Sequence, residues 1–273
     1  MKFDGILLCT DLDDTLLTSE KTIQKKDIEA LAYFMDNGGK YTFATGRVPA
    51  GALLVRKFIE PNTPMVCYNG GAIYDFKSER FLWRNTLPEN AIEVIEYVDK
   101  FLPYAGIEAS TEDEIYFNKV NHLVAEHKTL EKFPDNYCDY HDIKKPLMKV
   151  IFMVEEYQMK EFKDAVAKTD FPSHFSFIQS SPWYYELLPY GSSKGNGLGR
   201  LKEITGSSFA IGMGDNENDI SLVCDADLGV AVQNASEAVK SSADITTKND
   251  HNHCAVSELI SYLEHSDILN GVH

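Results

Sequence analysis

The chain has 273 residues, 44% of them hydrophobic, and a formal net charge of −16, which is enough for one large or two modest domains, each with its own core. The acidic balance argues against DNA, RNA or an anionic membrane as partner, since those depend on clustered Lys and Arg, and it means that any phosphate site needs a local cation. Five scattered cysteines without a Cys-x-x-Cys zinc pattern suit reduced thiols; with no apolar run of membrane-spanning length and a first strand starting almost at Met1, a cytoplasmic protein is expected.

The first apolar run, Ile6 to Leu17, is broken by Asp11, Asp13 and Asp14. That is the pattern of a buried strand delivering acids to its carboxyl end. Carboxylates so close share a proton, bind a cation or divide two jobs. Alone, the cluster also reads as a solvated turn with Thr15 as a cap. A calcium loop is excluded, because its required Gly and Glu positions hold Leu16 and Thr22. Ile28, Leu31, Phe34 and Met35 recur at helical spacing from about Gln24 to Asn37, closed by Gly38-Gly39. Tyr41 to Ala44 reads as a strand parallel to the first. It ends in Thr45-Gly46-Arg47, a hydroxyl and a glycine N–H at the start of a helix from about Pro49 to Ile59. Such a place suits an anion, or a simple threonine cap.

Pro64 to Tyr68 and Ala72 to Asp75 read as a hairpin turned by Asn69-Gly70-Gly71, extended by Phe81 to Trp83. From about Arg84 the alternation restarts as a self-contained α+β module reaching Leu188, whose many aromatics read as packing. Lys194 then opens a helix running to about Ile204, with no Walker ending. A lysine there adds to a dipole end that is already positive, which is wasteful for stability and sensible for holding an anion. Ser208 to Met213 is a strand ending in Gly214-Asp215-Asn216-Glu217-Asn218-Asp219. Short strands follow at Leu228 to Val232 and near Ile245, with helices near Ala235 to Ser241 and Ala255 to Glu264. His251, Asn252, His253 and Cys254 resemble a metal cluster at first glance, but read as a loop and helix start.

The fold class expected is α/β: a Rossmann-like doubly wound, mainly parallel sheet core with an inserted α+β cap domain, in which ligands bind at the carboxyl ends of the strands. The acidic and hydroxyl stretches all fall at that edge. Together, Asp11-Leu12-Asp13-Asp14-Thr15, Thr45, Lys194 and Gly214 to Asp219 resemble the four motifs of the haloacid dehalogenase superfamily. Too few residues separate Thr15 from Thr45 for a cap, whereas Thr45 to Lys194 holds a whole module. With Ala44-Thr45-Gly46-Arg47, Asn69-Gly70 and Leu187-Leu188-Pro189, this is similar to the Cof-type sugar-phosphatase branch. The resemblance implies a catalytic core of residues 1–83 and 189–273 and an inserted cap of residues 84–188, with the cap acting as a lid.

It further implies a phosphohydrolase that cleaves small phosphomonoesters through an aspartyl-phosphate on Asp11. Asp13 would serve as acid and then base. Mg²⁺ would be held by Asp11, the main-chain carbonyl of Asp13, and Asp215. Leu12, Thr45, Gly46, Lys194 and Asn218 would bind the phosphate, with Asp219 behind them orienting Lys194 or a water. The partner is then a small-molecule phosphate ester, with no nucleic acid or membrane and no indication of oligomeric state. The family usually has Gly where this chain has Asp14; Asp tolerates the left-handed turn, so the departure bears on rate and metal affinity. A phosphosugar mutase of the same fold and a catalytically idle phosphate-ligand sensor are the alternatives. The absence of arginine between Arg84 and Pro189 lowers the first, and the retained acids lower the second.

Overall fold

Five consecutive buried residues form β1 (Ile6–Thr10), as expected for a strand covered on both faces. The computed structural model describes residues 1–53 and 55–266. Leu54, within the helix expected from Pro49 to Ile59, and residues 267–273, at the end of the expected core, lie outside the described residues. After β1 come α1 (Lys25–Asp36) and β2 (Lys40–Phe43). Where one helix is expected from Pro49 to Ile59, the described residues give α2 (Pro49–Ala52) on one side of Leu54 and a 3₁₀ turn, Val55–Lys57, on the other. Gly51 lies inside that first turn and weakens a helix too short to offset its own nucleation.

The strands β3 (Met65–Cys67), β4 (Ala72–Asp75) and β5 (Arg80–Arg84) form an antiparallel meander. Its first turn is not the two-residue Asn-Gly hairpin turn. Tyr68–Gly70 is a 3₁₀ turn in which Tyr68, Asn69 and Gly70 all have positive φ, so four residues separate the paired Cys67 and Ala72. Gly70 is required there, because a Cβ would lie 1.8 Å from the Ser193 carbonyl oxygen.

The middle of the chain supplies α3 (Ala91–Phe101), β6 (Gly106–Ser110), β7 (Ile115–Lys119), α4 (His122–Glu131), β8 (Lys149–Met153), α5 (Glu156–Ala167), β9 (Phe175–Ser181) and β10 (Tyr184–Pro189). These strands make one antiparallel sheet in the order β7-β6-β8-β10-β9. Val94, Val98 and Phe162 of α3 and α5 pack with Val150, Phe152 and Leu187 of the sheet. Phe117 is buried, while Tyr137 and Trp183 remain exposed.

The rest comprises α6 (Lys194–Thr205), β11 (Phe209–Gly214), α7 (Ile220–Asp225), β12 (Leu228–Ala231), α8 (Glu237–Ser242), β13 (Ile245–Thr246) and α9 (Ala255–His265). The main sheet is parallel throughout, ordered β13-β12-β11-β1-β2. From β1 the chain steps to β2 on one side and later to β11 on the other. The carboxyl end of β1 is therefore the topological switch point.

Two compact units result: Met1–Arg84 with Ser193–His273, and Asn85–Ser192. The junctions lie slightly beyond those expected from sequence because β5 continues through Arg84. Residues 190–192 belong to the second unit, where the Gly191 N–H donates to Ser176 Oγ and the Ser192 N–H to the Pro189 carbonyl.

One buried acid ties the first helix to the last. Asp27 of α1 accepts the Ser257 N–H at 2.7 Å, at the start of α9. Burial raises the Asp27 carboxyl to about 6, only partly offset by the backbone N–H groups it accepts. A carboxyl raised on folding favours the folded state most when protonated, so its contribution is lost as pH climbs from about 4 to about 6. Asp27→Asn keeps an acceptor without the charge. Between those pH values, wild type should lose up to about 3 kcal/mol relative to this variant, as read by urea unfolding.

Candidate active site

Parallel pairing brings the carboxyl ends of β1 and β11 side by side, with Thr10 opposite Met213. Asp11 leaves β1 with its N–H donated to the Met213 carbonyl at 2.8 Å. The Leu12 side chain is wholly buried, so what this residue offers a ligand is main chain. Its carbonyl accepts the N–H groups of Leu16 and Leu17 at 3.1 and 2.8 Å, which closes a tight turn around Asp13 and Asp14. Asp14 has φ 56°. The position thus demands the left-handed conformation that glycine takes without strain and Asp tolerates.

Lys194, the first residue of α6, is completely buried. Its Nζ lies 2.7 Å from Asp11 Oδ1 and 2.5 Å from Asp219 Oδ1. Burial alone would lower its pKa, but the two carboxylates raise it well above the usual lysine range. The other Asp219 oxygen accepts the N–H groups of Asp215 and Asn216, each at 3.1 Å. Both of its oxygens are therefore engaged, and it fixes the loop and the lysine together. Asp215 Oδ1 accepts the Thr15 hydroxyl at 2.7 Å.

One ligand oxygen from each of Asp11, Asp215 and Asp219 lies within 4.8 Å of the others. Three buried or half-buried carboxylates face one lysine. Burial, then the negative charge of Asp219, pushes both Asp11 and Asp215 well above the ordinary carboxylate range. Such an excess of negative charge fits a divalent cation, and oxygen-only ligands suit a hard one.

The Asp13 carboxylate is not part of this triad. It is about one-third exposed and receives Arg47 in a fork, with Nε at 2.9 Å and Nη2 at 3.0 Å, and Lys21 Nζ at 2.9 Å. Burial raises its pKa, but these two cations outweigh it and bring the group to about 2. Two acids two residues apart thus have opposite electrostatics.

Thr45 is buried, and its Oγ1 accepts the Arg47 N–H at 3.2 Å. Gly46 lies against Asn69, since a Cβ there would be 2.9 Å from the Asn69 amide nitrogen. Asn69 is fully buried, donates its N–H to the Thr45 carbonyl at 3.0 Å, and accepts from Asn218 Nδ2 at 3.1 Å. The structure therefore places Asp11, Leu12, Asp13, Thr45, Gly46, Lys194, Asp215, Asn218 and Asp219 at one edge of the parallel sheet. Asn69, Arg47 and Lys21 join them without having been assigned a role. In sequence Asn69 reads as a turn residue and Arg47 as the tail of a tripeptide, while Lys21 carries no local signal.

The family described as haloacid dehalogenase-like hydrolase matches residues 8–260. The pyridoxal phosphate phosphatase YbhA of Escherichia coli is 27% identical over 256 residues, covering 88% of this chain and 92% of that protein. The 5-amino-6-(5-phospho-D-ribitylamino)uracil phosphatase YitU of Bacillus subtilis is 25% identical over 257 residues, covering 90% and 93%. A haloacid dehalogenase-like hydrolase from Bacteroides thetaiotaomicron superposes with a TM-score of 0.79 at 26% identity, over 96% of this chain and 99% of that one. With matches over nearly its whole length and three acid- or lysine-bearing segments meeting at one sheet edge, the chain belongs to the haloacid dehalogenase-like hydrolases, in their Cof-type phosphatase branch.

Proposed function

We propose that the protein is a Mg²⁺-dependent phosphohydrolase cleaving small phosphomonoesters, sugar phosphates or similar, through an aspartyl-phosphate on Asp11. The observation that carries this reading is the buried Lys194 held between Asp11 and Asp219, beside a triad whose negative charge it does not cancel. Asp11, the main-chain carbonyl of Asp13, and Asp215 would hold Mg²⁺. Bound there, the ion would neutralise Asp11 and draw charge from the phosphoryl oxygens. Two phosphatases similar to this chain carry names with different phosphate esters, which supports the reaction and leaves the alcohol portion of the substrate open.

In this mechanism Thr45, the Gly46 and Leu12 N–H groups, Asn218 and Lys194 receive the phosphoryl oxygens. The Asp11 carboxylate attacks phosphorus, the ester P–O bond breaks, and the leaving alkoxide takes a proton from Asp13. A water then gives a proton to Asp13 and attacks phosphorus; the Asp11–phosphorus bond breaks and inorganic phosphate leaves. The ionised Asp13 beside Arg47 and Lys21 is the form the second step uses; the first step draws on its protonated form, which the negative charge of an incoming phosphate favours. Asp219, which touches both Lys194 and the loop carrying Asp215, keeps these partners in register.

Inorganic phosphate should be released from p-nitrophenyl phosphate and small sugar phosphates with Mg²⁺ present. Asp11→Asn should lower turnover by a factor on the order of 10³ or more. A metal-replete preparation inert toward a broad panel of phosphate esters would refute the assignment.

Cation binding should release protons, because Asp11 and Asp215 hold them more tightly than ordinary carboxylates do. Affinity for Mg²⁺ is then expected to tighten as pH rises from about 5 to about 8, with proton release read by calorimetry in buffers of unlike ionisation enthalpy. Affinity that does not change with pH would contradict the electrostatic account.

A further inference from the structure

The loop at His251 to Cys254, which looks in sequence like a metal cluster, makes another set of contacts. His251 Nε2 lies 3.0 Å from the Ser19 hydroxyl, and its side chain is 12% exposed. Asn252 Oδ1 accepts the Ser19 N–H at 3.0 Å, its Nδ2 donates to Ser19 Oγ at 3.1 Å, and its carbonyl accepts Gln24 Nε2 at 2.9 Å. Ser19 belongs to a tight turn closed by the Thr18 N–H donating to the Thr22 carbonyl and the Lys21 N–H to the Thr18 carbonyl, each at 2.8 Å. At the end of that turn Lys21, in a left-handed conformation with φ 57°, places its ammonium on Asp13.

The same loop also reaches Asp14, the residue after Asp13. The His251 N–H donates to Asn234 Oδ1 at 3.1 Å, Asn234 Nδ2 donates to the Asp14 carbonyl at 2.8 Å, and His251 Nε2 faces the Asp14 carboxylate at 3.7 Å. Two segments far away in sequence thus hold Asp14, the neighbour of Asp13, and the turn that carries Lys21. We propose that His251 is a positioning residue for the reaction. It holds the Ser19 turn so that Lys21, with Arg47, keeps the Asp13 carboxylate oriented toward the water that cleaves the phosphoenzyme.

The physical reason is the length of the lever. A lysine side chain carries much rotamer freedom, so its ammonium fixes a carboxylate only if its own backbone is fixed. The turn that carries Lys21 takes its tertiary hydrogen bonds at Ser19, from His251 and Asn252. Released from that loop, Lys21 no longer defines where Asp13 points. A displacement on the order of 1 Å at a catalytic group costs up to about a hundredfold in rate.

This inference rests on the aspartyl-phosphate reading, and p-nitrophenyl phosphate separates the two. Nitrophenolate departs without needing the Asp13 proton, so only the second step, in which Asp13 takes a proton from water, depends on the turn that carries Lys21. Wild type, His251→Ala, Ser19→Ala, Lys21→Met and the His251→Ala/Lys21→Met double variant are compared by stopped flow with saturating Mg²⁺, and folding is checked by thermal melting.

Each single variant should lower kcat about tenfold with KM within about twofold, and should show a burst of nitrophenolate approaching one per active site before the slow phase. The double variant should be no slower than Lys21→Met alone, since both act through one contact. Ser19→Ala removes a single hydroxyl and serves as the reading should His251→Ala fail to fold; His251→Gln, which restores a side-chain nitrogen, should recover part of kcat. Variants at wild-type kcat, losses that multiply in the double variant, or lowered kcat without a burst would each overturn the role of His251. A wild type without turnover, or one whose activity survives Asp11→Asn, would instead overturn the underlying reading.

Discussion

A fully buried ammonium between two carboxylates is the interaction on which the site depends. Lys194 loses all its hydration, and the contacts to Asp11 and Asp219 offset that loss. Removing one partner of such a group leaves an uncompensated charge and costs about 3–5 kcal/mol. The bridge joins the end of β1, the start of α6 and the loop after β11, so three segments distant in sequence are fixed by one charge. Gly70 allows the start of α6 to approach that closely. A hydrophobic replacement for Lys194 could pack, but it would not hold an anion.

The arrangement leaves negative charge uncancelled on one side and binds it firmly on the other. Asp11 and Asp215 are pushed toward the protonated state by burial and by Asp219, whereas Asp13 is held ionised by Arg47 and Lys21. One short segment thus creates two environments for the same side chain: Asp11 becomes a free carboxylate once a cation offsets its burial, while Asp13 stands ready as the carboxylate that takes a proton from water. The first environment asks for a cation. The second lets Asp13 be shaped by groups that never touch the triad.

The second unit has its own logic. Its antiparallel sheet packs a large apolar core against α3 and α5, while Lys149–Glu186 and His127–Glu108 pair within it at 3.1 and 2.9 Å. Buried pairs of this kind contribute little net stability, because desolvation offsets their attraction. No helix among the described residues is long and apolar enough to cross a membrane.

The sequence was sufficient for much of what depends on local chemistry, the helix after Pro49 and the turn at Asn69 excepted. The apolar runs at Ile6 and Ser208 and the 3.6-residue periodicity after Gln24 specify strands and helix because burial repeats with the period of the backbone. Asp11, Asp215 and Lys194 stood out because charge at a strand end or a helix start is locally costly. The partners of those charges were decided only by the tertiary structure. Asn69 read as a hairpin turn and proved to be a buried link between Thr45 and Asn218. His251 read as a solvated loop residue and proved to lie against Ser19. Neither pairing leaves a trace in the spacing of residues, since each joins side chains that become neighbours only once the parallel sheet has aligned its carboxyl ends.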